Sequence, residues 1–186
     1  MKEEYCPNCG RGIGFWTGPD ESPCSGRAPK CVKTHPTYRE IHDACVELRY
    51  NDWLIQFKPD MVIGLIRGGL IPSVIVSHAL DDTKMEAIDY ASGDGAGDNK
   101  YNHTNKIPKF DSDKRLLIVD DICDTGYSMQ EVVNEYKERG HDVLTFALYY
   151  KESSVFKPDF IWQTIREDAP WIIFPFENIK DNNGES

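Results

Sequence analysis

Residues 116–128 decide the fold, and they read Leu-Leu-Ile-Val-Asp-Asp-Ile-Cys-Asp-Thr-Gly-Tyr-Ser. Residues 116–119 form an apolar run with the length and branching of an inner parallel strand. Residues 127–139 instead have helical spacing, which ends at Gly140. We therefore predict a strand, a turn over residues 120–126, and a helix.

The predicted turn combines a phosphate site with two carboxylates. Backbone N–H groups at a helix start lack intrahelical partners, and the positive end of the helix dipole adds to their attraction for a phosphate. Thr125 and Ser128 add hydroxyl groups. Asp120 and Asp121 would repel a phosphate, so we expect them to face hydroxyl groups or a metal ion. A phosphorylated ribose with Mg2+ satisfies both demands.

The composition indicates one ordinary folded domain. The chain has 186 residues, of which 40% are hydrophobic and 28% charged. No apolar run approaches the roughly 20 residues of a membrane span, so we expect no membrane partner. The net charge of −10 without a Lys/Arg cluster argues against nucleic-acid binding. The first residues lack an apolar signal region, which predicts a cytoplasmic protein with reduced cysteines.

Strands and helices alternate along the rest of the chain. This order predicts an α/β fold with an open, mostly parallel sheet flanked by helices. A long polar stretch over residues 92–113 is a candidate lid. The other predicted segments are a helix over residues 37–56 that begins with a capping box, a strand over 61–66, a turn at Arg67-Gly68-Gly69, a helix over 71–80, and strands over 85–91, 142–149, 160–164 and 171–174.

The segment over residues 117–128 resembles the phosphoribosyl-diphosphate motif of type I phosphoribosyltransferases. Arg67-Gly68-Gly69 stands in the place of that family's pyrophosphate loop, and the resemblance extends in element order over about residues 37–178. The segment departs from the motif at Cys123, where the family usually has an aliphatic residue. A thiol in such a site would be open to oxidation.

The resemblance implies a role for each matching residue. Asp124 looks like the general base of the enzymes that act on 6-oxopurines, with capping of the helix as its structural alternative. Asp120 and Asp121 would hold the ribose hydroxyls and Mg2+. The 5′-phosphate would be bound by Asp124, Thr125, Gly126, Tyr127 and Ser128, and the pyrophosphate by Arg67, Gly68 and Gly69.

A purine site follows from two further matches. Lys151 ends a predicted strand, and Trp171 opens a segment that resembles the carboxy-terminal aromatic part of bacterial xanthine-guanine enzymes. By that match Lys151 would donate to the purine O6, Trp171 would stack on the ring, and the main chain of Ile172 would read the purine edge. The structural alternatives are a solvated strand end for Lys151 and core packing for Trp171.

The implied reaction is displacement of pyrophosphate from phosphoribosyl diphosphate by guanine, hypoxanthine or xanthine, which gives a purine nucleoside monophosphate. The resemblance also suggests a homodimer or homotetramer. The rival hypothesis is a non-catalytic regulatory protein that senses phosphoribosyl diphosphate or nucleotides and binds a partner through its cysteine-rich segment. Asp124, Lys151 and Trp171 favour catalysis, because a sensor needs no general base.

The first 36 residues form a cysteine-rich segment that we expect to bind zinc. Cys6-Pro-Asn-Cys9-Gly has the shape of a zinc knuckle, and Cys24 and Cys31 complete a four-thiolate set in which His35 could replace one ligand. A segment with so few apolar groups would hardly fold without a structural metal. We therefore predict an appendage over residues 1–36, a catalytic domain over 37–180, and a flexible tail over 181–186.

Overall fold

A computed structural model of the protein describes residues 35–90, 104, 106–110 and 113–177. The predicted zinc ligands Cys6, Cys9, Cys24 and Cys31 and the tail over 181–186 lie outside the described residues, as does most of the candidate lid. The helices are α1 (Tyr38–Glu47), α2 (Asp52–Phe57), α3 (Leu70–Ala79) and α4 (Tyr127–Glu138). The strands are β1 (Met61–Leu65), β2 (Met85–Ile88), β3 (Arg115–Cys123), β4 (Asp142–Lys151) and β5 (Phe160–Ile165).

The predicted helix over residues 37–56 is wrong as one continuous element. It begins with the predicted capping box, since the Thr37 amide donates to Glu40 Oε2 at 2.9 Å and the Glu40 amide donates back to Thr37 Oγ1 at 3.3 Å. After Glu47 one short turn of 3-10 helix leads to Asn51. The Asn51 side-chain oxygen accepts from the Trp53 and Leu54 amides and starts α2 as a separate helix.

The five strands form one sheet in the order β2-β1-β3-β4-β5. Every neighbouring pair is parallel, so the predicted open parallel α/β sheet is confirmed. β3 is the central strand and runs beyond the predicted residues 116–119 as far as Cys123. The prediction of a strand over residues 171–174 is wrong, because these residues are in irregular structure.

The core lies where α4 covers the sheet. Met129, Val132, Val133 and Tyr136 recur at helical spacing and are all buried. They pack in one cluster with Ile63 of β1 and with Leu116 and Ile118 of β3. Burying each such side chain contributes about 1.5–3 kcal/mol, which holds the start of α4 against the end of β3.

The chain divides into two compact units. One unit spans Ile41–Glu167 and holds the whole sheet. The other combines residues 1–40 with 168–186, of which the structure describes residues 35–40 and 168–177. In this second unit the rings of Phe174 and Phe176 stack with centroids 5.0 Å apart. None of the helices in the described part of the chain has the length and apolar content that a membrane span requires.

Candidate active site

Three predicted site segments meet at one edge of the sheet. β1 leads into Arg67, and β4 ends at Lys151. β3 ends on Cys123, immediately before the predicted phosphate-binding residues 124–128. β1, β3 and β4 are adjacent and parallel, so their carboxyl ends point to the same edge. Ligands of open parallel sheets bind at that edge.

The two adjacent acids lie within β3 and not in the turn after it. Asp120 is paired in register with Ala147 of β4. Its Oδ1 accepts from the Asp121 amide at 3.0 Å, and Asp121 Oδ1 accepts from the Ile122 amide at 2.8 Å. Burial, with the charge of Asp121 beside it, raises the pKa of Asp120 well above its usual range. A divalent cation or donor hydroxyls at this site would favour the ionised form.

The loop after β1 lies directly on these acids. A Cβ atom placed on Gly68 would be 1.9 Å from Asp121 Oδ2, and one placed on Gly69 would be 2.6 Å from the Val119 carbonyl oxygen. Only glycine permits so close an approach. The peptide bond between Ile66 and Arg67 is cis. The predicted pyrophosphate loop and the predicted ribose acids are therefore in contact.

Asp124 and Lys151 form an ion pair, with 2.8 Å between Oδ1 and Nζ. Both side chains are partly exposed. The N-cap of α4 is Gly126, which has a φ of 84° and no side-chain cap. Asp124 therefore contacts the lysine of the next strand rather than capping the helix.

The phosphate turn, residues 123–128, joins β3 to α4. Thr125 and Tyr127 are exposed, Ser128 is half-buried, and Gly126 is buried. The positive φ of Gly126 turns the chain sharply, so that α4 starts one residue later. The first turn of α4 thus directs its backbone N–H groups and the positive end of its dipole toward this edge of the sheet.

Cys123 is turned away from the open site. It is 2% exposed and belongs to the core cluster that α4 covers. Burial raises the pKa of its thiol to about 11, so the reactive thiolate is scarce. Its sulfur lies 3.4 Å from both the Ser154 hydroxyl and the Phe156 carbonyl oxygen. Burial of the sulfur and scarcity of the thiolate both argue against oxidation of this thiol.

Trp171 and Ile172 belong to the second of the two compact units. The Trp171 side chain is 72% exposed, so the alternative of core packing does not apply to it. Ile172 is buried. An exposed indole is available for stacking, and a buried neighbour anchors the segment that carries it.

Sequence reasoning missed the segment that follows Lys151. The Val155 amide donates to the Thr125 carbonyl oxygen at 2.9 Å, and Ser154 and Phe156 lie against Gly126. These residues have no periodic pattern, and the only signal was a pair of serines just after a strand end.

The donor set at this edge fits Mg2+. This ion is typically held by one or two carboxylates together with water and substrate phosphates, and Asp120 and Asp121 are two adjacent carboxylates at a predicted phosphate site. Among the described residues there is no cluster of three or more His, Cys, Asp or Glu side chains that would hold a metal without substrate. His35, the one described residue of the proposed zinc set, is exposed.

Comparisons with known proteins agree with this geometry. The family model described as "Phosphoribosyl transferase domain" matches residues 32–178. A xanthine-guanine phosphoribosyltransferase of Ruegeria sp. is 30% identical over 123 residues, which are 62% of this chain and 67% of that protein. Its namesake from Idiomarina loihiensis is 27% identical over 151 residues, which are 76% of this chain and 84% of that protein.

Solved structures extend the comparison to the fold. The purine phosphoribosyltransferase from Pyrococcus horikoshii is 33% identical with a TM-score of 0.64, and the match covers 80% of this chain and 96% of that one. The xanthine-guanine-hypoxanthine phosphoribosyltransferase of Helicobacter pylori has a TM-score of 0.62 at 22% identity, with coverage of 77% and 92%. This second likeness concerns the fold alone.

Proposed function

Since the chain belongs to the phosphoribosyltransferase family, we propose that it transfers the 5-phosphoribosyl group of phosphoribosyl diphosphate to a 6-oxopurine base. The products are pyrophosphate and a purine nucleoside monophosphate, and the acceptor is guanine, hypoxanthine or xanthine. The names of the relatives support a purine acceptor. The observation that carries the proposal is the Asp124–Lys151 pair beside the phosphate turn.

The phosphate turn binds the 5′-phosphate of the sugar. Thr125 and Ser128 donate hydroxyl hydrogen bonds, while the backbone of Gly126 and Tyr127 brings amide N–H groups to the anion. Asp124 contributes to phosphate binding through its backbone, which is part of this turn. Binding this remote phosphate supplies energy that orients the reacting carbon.

Arg67, Gly68 and Gly69 bind the pyrophosphate, and Asp120 and Asp121 hold the ribose hydroxyls. Gly68 and Gly69 bring the backbone of their loop against β3, so the leaving group and the ribose are held side by side. When bound, Mg2+ supplies positive charge that neutralises the leaving pyrophosphate. The carboxylates of Asp120 and Asp121 stabilise the positive charge that develops on the ribose as the bond to pyrophosphate breaks.

Asp124 and Lys151 read one edge of the purine. N7 and O6 of a 6-oxopurine are neighbours on that edge, so a carboxylate and an ammonium held 2.8 Å apart match them in size and polarity. Asp124 accepts the N7 proton while N9 attacks the ribose, and Lys151 donates to O6. Adenine would instead present an amino group to the lysine, which disfavours it. The family resemblance assigns Trp171 to stacking on the ring and the main chain of Ile172 to reading the purine edge.

The remaining features of the chain complete the proposal. Residues 1–36 form an appendage with a structural Zn2+ on Cys6, Cys9, Cys24 and Cys31; residues 37–180 form the catalytic domain and 181–186 a tail. The enzyme works as a homo-oligomer in the cytoplasm. The non-catalytic sensor is not favoured, because the relatives from Ruegeria and Pyrococcus are phosphoribosyltransferases and the candidate base is paired with the candidate purine donor.

The test is incubation of the full chain with phosphoribosyl diphosphate, Mg2+ and, separately, guanine, hypoxanthine, xanthine, adenine or orotate. We expect nucleoside monophosphate, separated by chromatography, with at least one 6-oxopurine and much less with adenine. Absence of product with every base would contradict the proposed activity. Product with orotate or adenine alone would contradict the proposed acceptor.

A further inference from the structure

The end of β4 and the segment that follows it together contact each of the first four residues of the phosphate turn. Lys151 pairs with Asp124, as described above. Ser154 Oγ lies 3.4 Å from Cys123 Sγ, and the Val155 amide donates to the Thr125 carbonyl oxygen. A Cβ atom placed on Gly126 would lie 2.2 Å from Ser154 Oγ and 2.8 Å from the Phe156 nitrogen. We call residues 154–156 the clamp segment.

Ser154 is the centre of these contacts. Its hydroxyl donates to the Phe156 carbonyl oxygen at 2.8 Å and accepts from the Phe156 amide at 3.3 Å. Its own amide donates to the Lys151 carbonyl oxygen at 2.9 Å, which ties the clamp segment to the end of β4. One side chain therefore shapes the clamp segment, touches the turn at Cys123, and fills the space beside Gly126.

These contacts also account for the cysteine in the motif. The family usually has an aliphatic residue at this position, which offers no polar contact to a hydroxyl. Cys123 fills a similar apolar volume, and its sulfur lies within 3.4 Å of both Ser154 Oγ and the Phe156 carbonyl oxygen. The two residues are 31 positions apart in the chain, so this contact links the end of β3 to the segment after β4.

We propose that Ser154 is a positioning residue that fixes the phosphate turn relative to Lys151. The distance between the bound 5′-phosphate and the purine donor is then set by the clamp segment, and not by the turn alone. This inference rests on the proposed function for its effect on substrates. The clamp itself is a property of the free protein.

The test compares Ser154→Ala with Ser153→Ala, which is its matched control. Ser153 is the exposed residue immediately before the clamp segment. Ser154→Ala should raise KM for phosphoribosyl diphosphate about fivefold to tenfold and leave kcat nearly unchanged, because it weakens ground-state and transition-state binding alike. A merely structural role would lower the active fraction, and hence the apparent kcat, without changing KM. Ser153→Ala should match the wild type.

Hydrogen exchange of the ligand-free proteins is the second measurement. Amides over residues 124–128, and that of Val155, should exchange faster in Ser154→Ala and not in Ser153→Ala. Cys123→Val, which keeps the volume and removes the thiol contact, should shift exchange and KM in the same direction by a smaller factor. The effect of combining Cys123→Val with Ser154→Ala should be smaller than the sum of the two single effects, because both substitutions remove the same contact between Cys123 and Ser154.

The outcomes separate the two proposals. Wild-type exchange or wild-type KM in Ser154→Ala would overturn the positioning role, as would a fall in kcat alone or an equal effect of Ser153→Ala. A wild-type protein that makes no nucleotide would overturn the proposed function. In that case the exchange rates still decide whether Ser154 holds the turn.

Discussion

The ion pair between Asp124 and Lys151 joins two partly exposed side chains across neighbouring strands. Pairs of this kind contribute about 0–1 kcal/mol to stability, so little of the folding free energy depends on this one. Its consequence is geometric, since it holds a proton acceptor and a donor side by side at the carboxyl edge of the sheet. The two groups were predicted separately, and neither their contact nor their distance follows from residue spacing.

Asp124→Asn should lower kcat by roughly 10²- to 10⁴-fold, because the amide cannot accept the purine proton. Binding of phosphoribosyl diphosphate, measured by titration calorimetry, should change little. Glu152→Gln removes one negative charge from an exposed position nearby and should leave both values unchanged. Unchanged turnover in Asp124→Asn would exclude this residue as the base.

At the scale of elements, the local predictions hold and the boundaries shift. The strand, turn and helix around residues 116–128 are confirmed because apolar runs, a glycine and helical spacing act over short distances. β3 extends to Cys123 because its pairing with β4 continues there. The first helix breaks at Asn51, whose side chain caps a new helix more strongly than the apolar spacing extends the old one.

Gly68→Ala should lower kcat/KM by on the order of 100-fold, because the new methyl group displaces either the loop or the Asp121 carboxylate. Gly140→Ala is the control. Gly140 also needs glycine, with a φ of 86°, but its nearest neighbour to an added Cβ is 3.4 Å away and belongs to Asp113. This control should lose about 1 kcal/mol of stability and keep its kcat/KM. Wild-type kcat/KM in Gly68→Ala would contradict the close contact of the two loops.

The connection between Asp60 and the start of β3 should make stability depend on pH. Hydrogen bonds from Arg115 lower the pKa of Asp60 from 3.8 to about 2 in the folded protein. A lowered folded-state pKa stabilises the protein above pH 3.8, and this contribution is lost as the pH falls toward 2. The difference in urea midpoint between the wild type and Asp60→Asn should therefore shrink between about pH 4 and pH 2. A constant difference over this window would contradict the shift.

At the scale of the whole molecule, the order of the strands decides which segments form the site. The sheet places β3 between β1 and β4, so the ends of three strands bring the loop with Arg67, the two acids and the lysine to one edge. The chain passes through α3 after β1 and through α4 after β3, so the residues that meet at this edge are far apart in the chain. Trp171 belongs to the other compact unit of the chain, so its proposed role does not follow from the strand order.

Metal analysis of the purified full chain should find about one zinc ion per chain. Replacing Cys6 and Cys9 together by Ser should remove the metal, because two of the four thiolates are lost. Cys45→Ala is the control, since Cys45 is a buried core residue and should leave the zinc content unchanged. A wild-type chain without metal would contradict the zinc prediction.

Taken alone, the sequence determined the α/β class, the strand–turn–helix at residues 116–128, and the set of polar groups placed there. These features depend on short-range patterns of apolar residues, glycine and capping groups, which are readable along the chain. Tertiary structure decided that Asp124 contacts Lys151, that Gly68 lies on Asp121, and that Ser154 lies against Gly126. Such contacts depend on strand order and register, and no local pattern encodes which loops meet once a parallel sheet has brought distant strands together.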